Sequence, residues 1–308
     1  MGEFPLVAAV LSRLPSAEGV LLGPGDDAAV LAAPDSRVVA SVDLLVDGVH
    51  FRRDWSSAED VGHKAAAQNL ADVAAMGARP TALLVGLAAP GDLAVDWVLG
   101  LADGLAAEAG RVDAAVVGGD VVSSERLVVS VTALGSLDGR APVTRAGAKP
   151  GDVVAVTGRL GWSAAGFAVL SRGFRSPRAL VAAHRRPEPP YAQGPRAAAH
   201  GATSMIDVSD GLVADLGHLA EASGVRVDVD SAALEVPDLL RDAAAALGRD
   251  PQEWLLTGGE DHALAATFPP LLGPPEGWTV VGRVGEGSGV RVDGAVVEGS
   301  GGWRHYGR

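Results

Sequence analysis

Residues 138–152 read DGRAPVTRAGAKPGD. Glycine, proline and charge crowd this stretch, and apolar patterning resumes on both sides of it. Such composition marks a connection between domains. A boundary near Ala141 follows, giving domains at 1–140 and 141–308. The 308 residues are enough for two domains of ordinary size.

Upstream of the seam, residues 38–46 read as a strand. Ser56 or Ser57 caps a helix, with Glu59 or Asp60 three residues on as a capping box. That helix runs to about Met76, and Gly77 is placed to end it. Residues 81–88 form a strand, 94–109 a helix, and 113–117 and 127–134 two strands. Downstream, 152–157 is a strand, 163–171 a helix, 203–206 a strand, 212–223 a helix and 225–229 a strand. Strands and helices mix throughout, so the class is α/β or α+β.

The charge balance narrows function. Lys plus Arg number 25 against 38 Asp plus Glu, a net charge of −13. Such a field repels phosphate backbones and anionic bilayers, so neither a nucleic acid nor a membrane is expected as partner. The chain has no Cys, which removes disulfides, thiolate nucleophiles and Cys-based zinc sites and fits a cytoplasmic location. The start, MGEFPLVAAVLSRLP, lacks a basic segment and a long apolar run, so no signal peptide is expected.

Familiar motifs are weak or missing. Gly23-Pro-Gly25-Asp-Asp-Ala28 matches a dinucleotide fingerprint, but two aspartates occupy the place of a pyrophosphate and no long helix follows. There is no P-loop string, no protein-kinase set, no H-E-x-x-H and no G-x-S-x-G.

What stands out is aspartate. Asp26 and Asp27 follow Gly25. Ser41 and Asp43 share one face of the first strand while Val42 points away. Asp120 follows Gly118 and Gly119 after a strand. Asp207 ends a strand, and Ser209, Asp210 and Gly211 open the next helix. Turns and a helix N-cap at Ser209 or Asp210 explain many of these singly. Asp72 is harder to explain, because a carboxylate in the last turns of a helix meets the negative dipole end at a cost of a few tenths of a kcal/mol, roughly. Lys64, Gln68 and Asp72 line one stripe. Oxygen ligands without His or Cys suit Mg²⁺, which bridges carboxylates to substrate phosphates.

The strings GPGDDAAV, SVDLLVDGVHF, NLADVAAMGARP, VGGD, TRAGAKPGD, TGRLGWSAAG, IDVSDGLVADLGH and TGGEDHAL occur in the order found in thiamine-monophosphate kinases, and GWRHYG looks like their closing segment. The chain resembles that family from about Gly2 to Phe268. The resemblance implies a two-domain fold like that of aminoimidazole ribonucleotide synthetase. The N-terminal domain would dimerise through its sheet, and a C-terminal α/β domain would pack beside it. It implies ATP as co-substrate, several Mg²⁺ ions, thiamine monophosphate as acceptor and a homodimer, with an ATP groove that draws on both subunits.

Residue by residue, the resemblance places Mg²⁺ ligands at Asp27, Ser41, Asp43, Asp72, Asp120, Asp207 and Asp210. A further position, often Thr, is Val42 here and offers only its carbonyl. ATP contacts fall on Gly119, Asp120, Arg145 and Ser209; Arg145 is alternatively a surface residue of the linker. Thiamine phosphate contacts fall on His50, Glu260 and Tyr306 or Trp303. His50 is alternatively a strand-end imidazole satisfied by backbone. His262 stands where the family often has Tyr, a change expected to alter packing or polarity near Glu260. No separate catalytic base is implied, because the acceptor is already anionic. Relatives that depend on a Cys, the hydrogenase-maturation factor and selenophosphate synthetase, fit less well. DLLVDGVHF followed by NLADVAAMGA favours the thiamine enzyme over the purine synthetase. A non-catalytic nucleotide-binding module is the other alternative.

Overall fold

The computed structural model describes residues 3–24, 28–297 and 302. Its chain divides into two compact units, Met1–Val73 with Ala78–Gly139, and Ala74–Gly77 with Arg140–Arg308.

The first unit holds, in order, α1 (Glu3–Leu11), β1 (Val20–Leu22), β2 (Val30–Leu31), β3 (Val39–Val46), α2 (Ala58–Ala75), β4 (Arg79–Ala89), α3 (Val95–Gly110), β5 (Ala115–Ser123) and β6 (Val128–Ser136). A mixed sheet runs β3-β6-β4-β5, with β4 and β5 parallel and the other pairs antiparallel. The expected capping box opens α2. Ser57 Oγ accepts the Asp60 N–H at 3.1 Å, and Asp60 Oδ2 accepts the Ser57 N–H at 2.9 Å. Gly77, at φ +74°, follows its end.

One face of this sheet is sealed. Leu45, Val129, Val131, Ala133, Leu83 and Leu87 are all buried. The other face keeps Val42, Leu44, Leu84 and Val122 exposed.

Helices α2 and α3 meet backbone to backbone. A Cβ on Gly62 would overlap the Leu101 carbonyl, and one on Gly104 would overlap the Glu59 carbonyl. Mid-helix glycine costs about 1 kcal/mol relative to alanine in isolation; here it permits a contact no side chain allows. Gly104→Ala is therefore expected to destabilise the protein by about 1–3 kcal/mol, against the slight gain helix propensity alone predicts. Urea unfolding monitored by circular dichroism reads the sign.

The second unit holds β7 (Val153–Thr157), α4 (Trp162–Ser171), α5 (Arg178–Arg185), α6 (Gln193–His200), β8 (Ser204–Val208), α7 (Leu212–Ser223), β9 (Arg226–Val229), α8 (Asp238–Leu247), α9 (Pro251–Thr257), β10 (Ala263–Phe268), β11 (Thr279–Gly285), β12 (Gly289–Val292) and β13 (Ala295–Val296). Its sheet runs β13-β12-β9-β11-β7-β10-β8. Every residue of β7, β8 and β10 is buried, as expected of strands covered on both faces.

Three sequence expectations change. β5 does not stop at Val117. It bulges there and continues through Gly118, Gly119 and Asp120 to Ser123, paired to β4. Gly-Gly reads as a break, yet at Gly119 a Cβ would overlap the Val85 carbonyl, so the glycine serves close strand approach. Asp207 does not end its strand, which runs on to Val208. Neither Ser209 nor Asp210 caps α7: its N-cap is Gly211, at φ +129°, with no side-chain cap bond. Instead Asp215 reaches back from within the helix, accepting the Asp210 N–H at 3.0 Å and the Gly211 N–H at 3.1 Å. Weakly patterned elements, among them α1, α5, α6, α8, α9 and β10 to β13, lie outside what periodicity suggests.

Candidate active site

In the first unit, strand alternation sets Ser41 and Asp43 on the sealed side of β3, both half-buried. Asp72 arrives from α2 and accepts the Ser41 hydroxyl at 2.6 Å. Asn69, fully buried one turn earlier, accepts the Asp43 N–H at 2.9 Å and donates to the Ala65 carbonyl at 2.9 Å. The strand and helix are thus pinned together where the carboxylates stand. Lys64, almost fully buried, donates to the His50 carbonyl at 3.2 Å. His50 Nδ1 accepts the Val46 N–H at 3.0 Å, which places the ring proton on Nε2.

Sheet register separates the remaining candidates of this unit. Asp43, Val131, Val85 and Gly119 form one row across the four strands. Asp120 belongs to the next row, with Leu44, Ser130 and Gly86, so its side chain leaves by the opposite face. It is exposed, and its Oδ1 accepts the Val121 N–H at 2.9 Å. Val42 points to that same opposite face. Asp27, Trp303 and Tyr306 lie outside the described residues.

In the second unit, two sequence motifs fold against each other. The Glu260 N–H donates to the Ser209 carbonyl at 2.8 Å, and the His262 N–H to the Val208 carbonyl at 3.0 Å. Asp207, almost fully buried, lies 3.2 Å from His262 Nδ1. His262 therefore contacts Asp207, as well as standing two residues from Glu260. Arg145 is exposed, and its carbonyl accepts the Ser223 hydroxyl at 2.9 Å.

The acidic groups of this region repel one another. Burial, and then the charge of Asp207, push the Asp215 carboxyl up to about 7; Asp210 adds to the rise, and the Asp210 and Gly211 N–H groups oppose it. Among the described residues, Asp210, Asp215 and His218 offer ligand atoms within 4.8 Å of one another. Carboxylates that raise one another's proton affinity are relieved by a divalent ion. The oxygen donors fit a hard ion such as Mg²⁺.

Sequence reasoning missed Asn69 and Asp215. A buried Asn among Ala and Leu is itself a signal. Asp215 and His218 lie in the quoted IDVSDGLVADLGH string without having been singled out.

The AIR synthase related protein N-terminal domain family matches residues 25–137, and its C-terminal domain family matches residues 149–294. The chain is 53% identical to thiamine-monophosphate kinase of Mycobacterium tuberculosis over all of its own length and 92% of the relative. It is 42% identical to that of Corynebacterium glutamicum, over 99% and 94% of the two chains. The solved structure of AaThiL complexed with AMPPCP and TMP superposes with a TM-score of 0.83 at 35% identity, covering 99% of this chain and 97% of that one. Two domains of the AIR synthase related type, mixed sheets and full-length kinship converge, and the chain belongs to the thiamine-monophosphate kinase family.

Proposed function

We propose that this chain transfers the γ-phosphoryl group of ATP to the phosphate of thiamine monophosphate, giving thiamine diphosphate and ADP. The observation that carries the reading is the gathering of Ser41, Asp43 and Asp72 on one half-buried face, in a chain kin to a protein solved with AMPPCP and TMP. The bond between the γ-phosphorus and the β,γ-bridging oxygen breaks, that oxygen leaving with ADP, as an acceptor phosphate oxygen bonds the γ-phosphorus. The acceptor is already an anion, so no strong base is required. The difficulty is repulsion between two polyanions.

Ser41, Asp43 and Asp72 on one face of the first sheet, Asp120 on the other, and Asp207 and Asp210 in the second unit, with Asp27 and the Val42 carbonyl by resemblance, would hold Mg²⁺, which when bound supplies charge neutralisation and in-line orientation. Ser41 orients Asp72 through its hydroxyl. Gly119, Asp120, Arg145 and Ser209 are the residues assigned to ATP. His50 and Glu260 are assigned to the acceptor, Glu260 to its cationic thiamine rings; the resemblance assigns Tyr306, outside the described residues, to the same rings.

We also assign a homodimer to the open face of the first sheet. Val42, Leu44, Leu84 and Val122 expose 39–55% of their surface there, and register sets all four on one side. Asp120 emerges on that same side, which suits a nucleotide groove shared with a second subunit. A cytoplasmic location fits this reading; no helix among the described residues is long and apolar enough to cross a membrane.

ATP consumption measured over thiamine, thiamine monophosphate and formylglycinamidine ribonucleotide tests the assignment. Turnover is expected with thiamine monophosphate alone, abolished by EDTA and restored by excess Mg²⁺. Turnover with free thiamine alone overturns the substrate; turnover undiminished by EDTA overturns the metal.

A further inference from the structure

Two residues between α9 and β10 carry an unusual backbone. Glu260 stands at φ +65° and His262 at φ +52°, with Asp261 between them. Two non-glycine residues in the left-handed region cost roughly 1 kcal/mol or more each, and such geometry persists only where its surroundings impose it. The outer residues face candidate site chemistry, Glu260 half-buried and His262 against Asp207. Asp261 is 4% exposed.

What it meets is the first turn of α4. Asp261 Oδ1 accepts the Ser163 N–H at 2.8 Å. A buried acid tolerated in this way, against the positive end of a helix, acts as a tether. Ser163 extends the link: its Oγ lies 3.2 Å from Nδ1 of His184, which is 5% exposed. The same nitrogen lies 3.6 Å from Glu260 Oε2. The chain of contacts closes on itself, from the Glu260 carboxylate through His184 and Ser163 to the Asp261 carboxylate next door.

We propose that Asp261 and His184 are positioning residues for acceptor binding: Asp261 ties the backbone of the 260–262 turn to α4, and His184 aims the Glu260 carboxylate. The proposal rests on the assignment of Glu260 to the thiamine side of the acceptor. A carboxylate on a turn of this kind would otherwise sample many directions, and a cation-recognising group loses its value when displaced by an ångström.

The test is steady-state kinetics on the full chain with both substrates varied, for Glu260→Ala, His184→Phe, His184→Asn, Asp261→Ala and Asp261→Asn. Glu260→Ala, His184→Phe and Asp261→Ala are expected to raise KM for thiamine monophosphate by about tenfold or more, leaving KM for ATP within about twofold of wild type. Asparagine at 184 keeps a nitrogen near the Nδ1 position, and asparagine at 261 keeps an acceptor for Ser163; both are expected to recover most of the loss. Should Asp261→Ala fail to fold, the His184 pair carries the same comparison. If Glu260→Ala raises KM for thiamine monophosphate while the His184 and Asp261 variants leave it unchanged, the positioning role is overturned and the Glu260 assignment stands. If Glu260→Ala leaves it unchanged, the assignment itself fails, and the proposal with it. Equal increases for both substrates would mean a merely structural role and would also overturn the proposal.

Discussion

Asp43→Asn is expected to lower kcat about a thousandfold, and Asp72→Asn by a similar factor. The size follows from what the carboxylates do. Neutralising charge between two phosphate chains is worth several kcal/mol, and each 1.36 kcal/mol is roughly a factor of ten in rate. Asparagine keeps the volume and one acceptor oxygen, so the backbone bond from Asp43 N–H to Asn69 survives, and the melting temperature is expected to hold. Ser41→Ala removes only the hydroxyl that orients Asp72 and is expected to cost about ten- to a hundredfold. Quenched-flow or coupled ATP-consumption assays, run beside thermal melts, separate lost chemistry from lost fold. Full activity in both aspartate variants would remove the metal reading.

The second large effect is on stability against pH. Burial pushes the Asp261 carboxyl from its ordinary 3.8 to about 7; the Ser163 and Gly161 N–H groups pull against that rise, and the charge of Glu260 adds to it. Between about pH 4 and 7 the folded chain then holds a proton that the unfolded chain has released. The unfolded state binds fewer protons, so this group makes stability fall as pH rises through that window. A rise of that size corresponds to about 4 kcal/mol across the whole window. Between about pH 4 and about pH 8, Asp261→Asn, which cannot ionise, is expected to lose about 4 kcal/mol less stability than wild type. Urea midpoints at the two pH values, compared between the proteins, give the difference. Parallel slopes would show that Asp261 is ionised throughout.

Local chemistry made much of the frame legible. The Ser57–Asp60 capping box, the Gly77 stop and the alternation of Ser41, Val42 and Asp43 depend on neighbours in sequence, and the structure repeats them. Gly118–Gly119 misled because a glycine pair looks like punctuation until the opposing Val85 carbonyl is known. Ser209 and Asp210 misled for a similar reason: both are good caps, but the helix starts after Gly211, and Asp215 holds the Asp210 and Gly211 N–H groups from within it. The candidate site was readable by residue type and order. Its tethers were not, because Asn69 on Asp43, His262 on Asp207 and Asp261 on Ser163 join positions 26, 55 and 98 residues apart.

The glycine seam between α2 and α3 has a mechanical meaning. Two helices meshed at the level of their carbonyls can neither roll nor slide without collision, so the pair behaves as a single rigid beam. Asp72 rides on that beam. Its carboxylate is held by the same mesh that fixes the helix pair.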